Sequence, residues 1–281
     1  GLIVSRLLAL ITEKNIVIKL PDSVPEMVSE SLSSLLAGVI ITIVFLIFRA
    51  LFAVTPYGNA TDCIYTIIQT PLQSLTGNLP AFIIIILIAQ LLWFFGIHGS
   101  MTVLPILFPI WLSYIGDNTA AMAAGKTIPH VLNIGLWDLA NLGGSGATIG
   151  LVILMFFKAK SNQYKSFGKL TLPCGIFSVN EPVIFGLPVI LNPIMLIPFI
   201  ICPIVLVCLG YALIQFGIVT APIGILGLGS MPPLISGIMQ GSLSWGIYQL
   251  VAVVISIIIY YPFFKTIDNQ ALAKEKGEQG E

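Results

Sequence analysis

The carboxylate best placed to do chemistry in this sequence is Glu181. It lies in the segment 178–182, and the 83 residues that follow it, Pro182 to Phe264, include no Asp, Glu, Lys or Arg. Ionisable groups at membrane depth are costly and commonly functional. A carboxylate there can accept two hydroxyl groups of a polar solute, or take a proton from one. Because Pro182 disfavours the helical conformation of the residue before it, we expect Glu181 on a turn or extended tip. The alternative is a glutamate at the cytoplasmic interface beside Lys165 or Lys169.

His98 is the second candidate, and it directly follows a long apolar run. Gly96 and Gly99 flank it, and glycine lets the backbone approach a ligand closely. Imidazole can donate, accept or shuttle a proton near neutral pH. The alternative is a histidine that merely satisfies the hydrogen bonds at a helix end.

Three further features could contact a polar ligand. The stretch Asn141–Thr148 is rich in glycine, but it lacks the Gly-Lys-Ser/Thr ending of a phosphate loop and no strand precedes it, which argues against nucleotide binding. It predicts either close helix packing or ligand contact through Asn141 and free backbone amides. Trp93 and Trp245 could stack on a sugar ring, although tryptophan at the end of a span is also a common interfacial anchor.

Composition identifies the class of protein that must position these residues. The chain has 281 residues, of which 57% are hydrophobic and 9% charged, with a mean hydropathy of +1.02. Soluble domains carry about a quarter charged residues. Acidic and basic residues number 12 each, so charge indicates no nucleic-acid partner. The four cysteines and two histidines form no metal-ligand spacing, and we expect no metal and no cofactor.

Hydropathy predicts an all-α integral membrane protein with about six transmembrane helices, because a bilayer core needs roughly 20 apolar residues in helical form. Basic residues cluster before the first predicted span, between the fourth and the fifth, and after the sixth. An even number of spans separates these clusters, so the positive-inside rule predicts that both ends of the chain lie in the cytoplasm. The predicted spans are Leu32–Leu51, Leu79–Phe95, Met101–Tyr114, Gly146–Phe157, Asn192–Phe216 and Ser244–Phe264.

Other segments fit neither spans nor ordinary loops. Residues 131–150 and 218–241 are rich in Gly, Pro, Ser and Asn at an expected depth within the bilayer, where irregular backbone must be buried in protein or line a wet cavity. We interpret both as re-entrant hairpins, the kind of element at which transporters bind substrate. Gly1–Leu20 and Tyr57–Leu75 are predicted to form amphipathic helices at the cytoplasmic and outer interfaces.

Together these features divide the chain into four parts. Residues 1–31 are predicted to form a cytoplasmic amphipathic linker, and residues 32–78 the first span with the outer interfacial helix. Residues 79–265 form the predicted transport domain with its two re-entrant segments, and residues 266–281 a charged cytoplasmic tail. Because Gly1 is not an initiator methionine, we expect the chain to begin inside a longer protein.

The order of several short motifs resembles one known family. These motifs are Ile18–Pro25, Gly96–Gly99, Asn141–Gly146, Asn180–Pro182, and Pro232-Pro233 followed by Trp245. Together they look like the lactose/cellobiose branch of phosphotransferase-system enzyme IIC, from about Gly1 to Phe264. Each motif alone is weak, whereas five in the same order are specific.

The resemblance implies a homodimeric permease of the bacterial cell membrane, embedded in lipid, that binds a β-disaccharide of the cellobiose, lactose or chitobiose type. It implies that His98 and Glu181 contact sugar hydroxyls, with Glu181 activating the accepting hydroxyl. Asn180 and Trp245 would help to hold the ring, and Gly99, Trp93 and Asn141 complete the candidate site. Phosphorylation would come from the phosphocysteine of a separate enzyme IIB.

Two departures from the family pattern stand out. Family members often carry an acidic residue before the tryptophan and an arginine after it, whereas Ser244 and Gly246 flank Trp245 here. The early helices that supply much of the dimer contact also have no counterpart in this sequence. From the residues alone, an ion-coupled secondary transporter remains the competing class, in which Glu181 and His98 would relay a proton and the sugar would leave unmodified.

Overall fold

The computed structural model describes residues 2–14, 16, 26–60, 62–63, 77–187 and 189–278. All regular secondary structure in these residues is helical, which confirms the predicted all-α class. The helices are α1 (Leu2–Glu13), α2 (Glu26–Ala53), α3 (Leu79–Phe94), α4 (Gly99–Ala123), α5 (Ile134–Ala140), α6 (Ile149–Lys158), α7 (Asn162–Ile176), α8 (Glu181–Gly186), α9 (Pro193–Gln215), α10 (Ile235–Met239) and α11 (Leu243–Glu278), with a 3-10 turn at Leu228–Ser230.

Apolar helices stand at all six predicted spans. Four of them are long and apolar enough to cross a bilayer, and they lie in α2, α4, α9 and α11 with mean hydropathies of 2.7, 1.4, 2.6 and 2.0. The other two, α3 and α6, are apolar but have only 16 and 10 residues. The described residues therefore confirm a helical membrane protein, while the cytoplasmic placement of the chain ends stays a prediction.

The chain divides into two compact units, Gly1–Thr70 and Pro71–Glu281. In the first unit, α1 contacts α2. A helix therefore forms within Gly1–Leu20, and its position at a membrane interface stays a prediction. The predicted helix at Tyr57–Leu75 lies mostly outside the described residues. The second unit contains every candidate site residue.

Two helices extend beyond their predicted spans because their polar residues find partners. The α4 helix continues past Tyr114 to Ala123, and its buried Asn118 donates to the carbonyl oxygens of His130 and Ile223. The α11 helix continues through the predicted tail to Glu278. Its buried Asp268 carboxylate accepts hydrogen bonds from the backbone N–H groups of Lys160 and Ser161, which immediately precede α7, so this part of the tail packs against the domain.

The two predicted re-entrant segments are short helices joined to irregular backbone. Residues 131–150 comprise α5, the loop 141–148 and the start of α6, while residues 218–241 comprise extended chain, the 3-10 turn and α10. Buried polar backbone must be hydrogen-bonded. The α11 helix meets that need in the first segment, because Tyr260 Oη donates to Gly146 O at 2.7 Å and Ser256 Oγ donates to Ala147 O at 2.7 Å.

Candidate functional site

His98 is fixed at the start of α4 by a hydrogen bond to its own helix. Gly96, with φ of +80°, ends the turn that follows α3, and His98 is the N-cap residue of α4. The His98 Nδ1 atom accepts the backbone N–H of Met101 at 3.2 Å. An accepting nitrogen carries no proton, so the neutral ring carries its proton on Nε2. The proposed helix-end role and a ligand-binding role therefore involve different nitrogens of the same ring.

Gly99 permits the close approach of α4 to α3. A Cβ atom at this position would stand 1.9 Å from Ala89 O and 2.7 Å from Ala89 C, which are immobile backbone atoms. Gly99 therefore contributes to the site by letting α4 pack against α3, and it does not line the cavity around His98. Sequence reasoning placed Gly99 in contact with the ligand, and the structure gives its small size a packing reason instead.

Glu181 is the first residue of the short helix α8, which corrects the expectation of a turn or extended tip. Pro182 lies in the first turn of this helix, where its missing N–H would be unpaired in any case. The argument from Pro182 failed because proline only biases the preceding residue away from the helical conformation and does not exclude it. Glu181 also forms no ion pair with Lys165 or Lys169 in the described part of the chain; the ionisable side chain that it faces there is His98.

The two candidate side chains face each other across a gap. His98 Nε2 lies 3.8 Å from Glu181 Oε1, and their side chains are 38% and 49% exposed. That separation is too long for a direct hydrogen bond. A single oxygen atom placed between them could lie about 2.8 Å from each. The pair is therefore open to a hydroxyl group that accepts from the imidazole and donates to the carboxylate.

Asn180 holds the glycine-rich loop beside Glu181. Its amide nitrogen donates to Ser145 O at 2.7 Å and to Thr148 Oγ1 at 2.9 Å, so both amide hydrogens are committed to the loop. The side chain is buried, and a Cβ atom on Gly144, whose φ is +100°, would stand 2.1 Å from Asn180 Cγ. Only glycine fits there. Asn180 lines the cavity, and its donor groups position the loop.

A cavity of about 310 Å³ collects most of the candidate residues. Binding cavities for small molecules typically start near 300 Å³. Five predicted residues line it together with residues that sequence reasoning did not select. The lining residues are Trp93, His98, Ser100, Met101, Trp137, Asp138, Asn141, Gly144, Ser145, Ser178, Val179, Asn180, Glu181, Gly227, Gly229 and Ser230.

Asn141 and Trp93 contribute to the cavity in different ways. Asn141 Nδ2 donates to Trp137 O at 2.8 Å, while its Oδ1 is buried without a hydrogen-bond partner among the described residues. The Trp93 ring is 2% exposed, and its centroid lies 4.1 Å from that of His98. Trp93 therefore supports the imidazole more than it offers a free face for stacking.

Trp245 lies elsewhere, and its predicted place in the site needs correction. The side chain is fully buried in the core beside Tyr248, with ring centroids 5.5 Å apart, and it does not line the cavity. The packing around the next residue, Gly246, explains why no arginine follows Trp245 in this sequence. A Cβ on Gly237 would stand 2.3 Å from Gly246 Cα, so α10 packs directly on the backbone of α11 at this point.

A larger cavity of about 620 Å³ lies among the loops that follow α4 and α9, lined by Lys126, Thr127 and Thr220 among others. We assign the site to the smaller cavity because it brings together the carboxylate and the imidazole. Within the described residues, no group of three His, Cys, Asp or Glu side chains is placed to hold a metal ion.

Comparison with known proteins identifies the family. Residues 1–203 match the family described as Phosphotransferase system, EIIC. The chain is 38% identical over 291 residues to the cellobiose-specific EIIC component of Geobacillus stearothermophilus, covering 99% of this chain and 64% of that relative. It is 31% identical over 292 residues to the lactose-specific EIICB component of Lacticaseibacillus casei, covering 99% of this chain and 48% of that relative.

A solved structure agrees with both relatives. The crystal structure of ChbC, the IIC component of an N,N'-diacetylchitobiose-specific phosphotransferase system, superposes with a TM-score of 0.83 at 37% identity. The match covers 98% of this chain and 64% of that chain. This protein belongs to the phosphotransferase-system EIIC family, as its motifs predicted. It spans less than two thirds of the length of these relatives.

Proposed function

We propose that this chain forms the sugar-binding membrane part of an enzyme IIC, which binds a β-disaccharide and carries it across the bacterial cell membrane for phosphorylation. The observation that carries this proposal is the open pair of His98 Nε2 and Glu181 Oε1, 3.8 Å apart at the edge of the 310 Å³ cavity. The family membership and the names of its cellobiose, lactose and diacetylchitobiose relatives support the substrate class.

The paired groups suit the activation of one sugar hydroxyl. The imidazole Nε2–H donates to the hydroxyl oxygen and orients it, while the Glu181 carboxylate accepts the hydroxyl proton. The hydroxyl oxygen then forms a bond to the phosphorus atom of a phosphocysteine, the phosphorus–sulfur bond breaks, and the thiolate leaves. The proton remains on Glu181 until it is released to water.

The phosphoryl donor must come from a partner. None of the residues that line the cavity is a cysteine. We propose that a separate enzyme IIB supplies the phosphocysteine, which is consistent with the name EIICB of the lactose-specific relative. We further propose that the working protein is a homodimer in lipid.

Charge distribution supports a cytoplasmic location for the phosphorylation step. Lysines of α6, α7 and α11 lie outside the apolar spans, and they include Lys158, Lys165, Lys169 and Lys265. By the positive-inside rule we place this side, and both ends of the chain, in the cytoplasm. His98 precedes α4 by one residue, so the same topology opens the cavity towards the compartment that contains enzyme IIB.

The test of this function is the variant Glu181→Gln, which keeps the size of the side chain and removes its charge. We expect sugar binding to weaken by about 10- to 100-fold, since hydrogen bonds to charged groups contribute about 1.5–3 kcal/mol. Phosphorylation by enzyme IIB should be lost because the amide cannot take the proton. Isothermal titration with cellobiose, lactose and N,N'-diacetylchitobiose would measure binding, and labelled sugar phosphate would measure turnover.

The matched control is Asp117→Asn. Asp117 also pairs with a histidine, since its Oδ2 lies 2.9 Å from His130 Nε2, and it is about 28 Å along α4 from His98. We expect its binding and turnover to equal those of the wild type. Wild-type affinity and full turnover in Glu181→Gln would remove Glu181 from the mechanism. Proteoliposomes that accumulate free sugar in the presence of phosphorylated enzyme IIB would instead favour ion-coupled transport, which the family membership does not favour.

A further inference from the structure

The cavity contains a second carboxylate, Asp138, whose hydrogen bonding is incomplete. It lies in the short apolar helix α5, and its Oδ2 atom is shielded from solvent with no hydrogen-bond partner among the described residues. Buried polar atoms in native proteins are nearly always paired. An unpaired carboxylate oxygen in a residue that lines the cavity is therefore a candidate for hydrogen bonding to a ligand.

Asp268 provides a comparison, because its buried carboxylate has a structural role and its hydrogen bonds are formed within the protein. Its two oxygens accept hydrogen bonds from the backbone N–H of Lys160 at 2.8 Å, from the backbone N–H of Ser161 at 3.1 Å and from Ser161 Oγ at 2.7 Å. These bonds tie α11 to the start of α7. Asp138 has no comparable set of donors, although it is also held in the interior of the domain.

The backbone opposite Asp138 leaves room for its carboxylate. A Cβ atom on Gly229 would stand 2.4 Å from Asp138 Oδ1 and 2.7 Å from its Cγ. Gly229 does not have a positive φ, so alanine could adopt its backbone conformation. The glycine is therefore needed for space and not for backbone freedom. The 3-10 turn at Leu228–Ser230 therefore contacts α5 beside the carboxylate of Asp138.

We propose that Asp138 is a second acidic residue of the sugar site, whose carboxyl group hydrogen-bonds hydroxyls of the disaccharide. This inference rests on the proposed function, and it adds a specificity residue to that site. The described residues that line the cavity include two acidic side chains, Asp138 and Glu181, and no Lys or Arg. A sugar that carries a carboxylate therefore finds no basic side chain there to offset the cost of removing its charge from water.

The first experiment compares Asp138→Leu with Asp268→Leu in the purified chain in lipid nanodiscs. Leucine branches at the same carbon atom as aspartate and its side chain forms no hydrogen bonds; it is larger, and the adjoining cavity has room for the added volume. At position 138 we expect a thermal unfolding temperature equal to or above that of the wild type, because no protein hydrogen bond to Oδ2 is lost. Titration with cellobiose should show an affinity at least 10-fold weaker. Asp268→Leu should lower the unfolding temperature, while the folded fraction should keep wild-type affinity.

A second comparison tests selectivity directly. The wild type should bind cellobiose at least 10-fold more tightly than the analogue of cellobiose in which one primary alcohol is oxidised to a carboxylate. Asp138→Leu should narrow that ratio, because it weakens the binding of cellobiose, whose hydroxyl hydrogen-bonds Asp138, more than that of the analogue, which lacks that hydroxyl. An unchanged ratio, together with unchanged cellobiose affinity, would overturn the proposal. If Asp138→Leu does not fold, Asp138→Asn provides the same two measurements with the side-chain shape retained.

The third measurement uses the contact with Gly229. In Gly229→Ala the new methyl group should displace the carboxylate and weaken cellobiose binding several-fold. In an Asp138→Ala background the same substitution should add little, since the side-chain atoms that it would displace are already absent. Equal losses in both backgrounds would show that Gly229 acts independently of Asp138. If the wild type binds none of the three disaccharides, the proposed function fails, whereas wild-type binding that Asp138→Leu leaves intact defeats only this inference.

Discussion

Asn180→Asp tests how the glycine-rich loop is held next to the site. The substitution keeps the shape of the side chain but replaces its amide nitrogen with oxygen. In the wild type that nitrogen donates to Ser145 O at 2.7 Å and to Thr148 Oγ1 at 2.9 Å. The variant loses both donors and sets a carboxylate oxygen against the Ser145 carbonyl oxygen, with Glu181 as the next residue.

The expected loss of stability follows from these contacts. Leaving a buried acceptor unpaired costs about 1–3 kcal/mol, and the Ser145 carbonyl loses its side-chain donor. The Thr148 hydroxyl already donates to Gly143 O at 2.8 Å, so it can donate to the new carboxylate only by breaking that bond. We therefore expect Asn180→Asp to lower the free energy of unfolding by about 2–4 kcal/mol. For a domain of this size that corresponds to roughly 4–16 °C in unfolding temperature.

Asn192→Asp is the matched control, because it makes the same chemical change at a residue that only accepts. Asn192 is the N-cap of α9, and its Oδ1 accepts the backbone N–H groups of Ile194 at 3.0 Å and Met195 at 3.4 Å. Aspartate caps helices as well as asparagine does. Differential scanning fluorimetry in detergent should show a change of about 0.5 kcal/mol or less for this variant. Equal unfolding temperatures for Asn180→Asp and Asn192→Asp would refute the reasoning.

Three further substitutions test the packing that supports the site. Gly99→Ala should cost about 1–3 kcal/mol and weaken sugar binding, because its Cβ would meet Ala89 O at 1.9 Å; fluorimetry and titration check both. Tyr260→Phe should lower the unfolding free energy by about 1–3 kcal/mol, since it leaves Gly146 O without its side-chain donor. Gly246→Arg should reduce the folded yield, because α10 packs on that backbone; a folded variant of wild-type stability would contradict this.

Much of the fold could be predicted because the bilayer constrains sequence so strongly. Hydropathy alone located the six apolar helices, and the Gly- and Pro-rich segments marked the irregular backbone between them. The ends of α4 and α11 could not be predicted, because they depend on partners that are distant in sequence. Asn118 at the end of α4 bonds to Ile223, and Asp268 in the predicted tail bonds to Ser161.

The sequence indicated the paired ionisable residues of the site, but not the residues whose positions depend on how the helices pack. Glu181 and His98 could be singled out by their apolar or glycine-rich surroundings, and the structure places them 3.8 Å apart although they are 83 positions apart in the sequence. Trp245 was misplaced because sequence cannot tell which face of a helix a tryptophan occupies. Asp138 was missed, although an acidic residue within the predicted re-entrant segment 131–150 was an available signal.

The most direct test of the account measures how each hydroxyl of the sugar is coupled to Glu181. Titration of the wild type and Glu181→Gln with cellobiose and with each of its monodeoxy analogues gives one double-mutant cycle for every hydroxyl. If one hydroxyl bridges His98 and Glu181, its removal should weaken wild-type binding strongly and binding to Glu181→Gln only slightly. Equal losses in both proteins for every analogue would show that no sugar hydroxyl contacts this carboxylate.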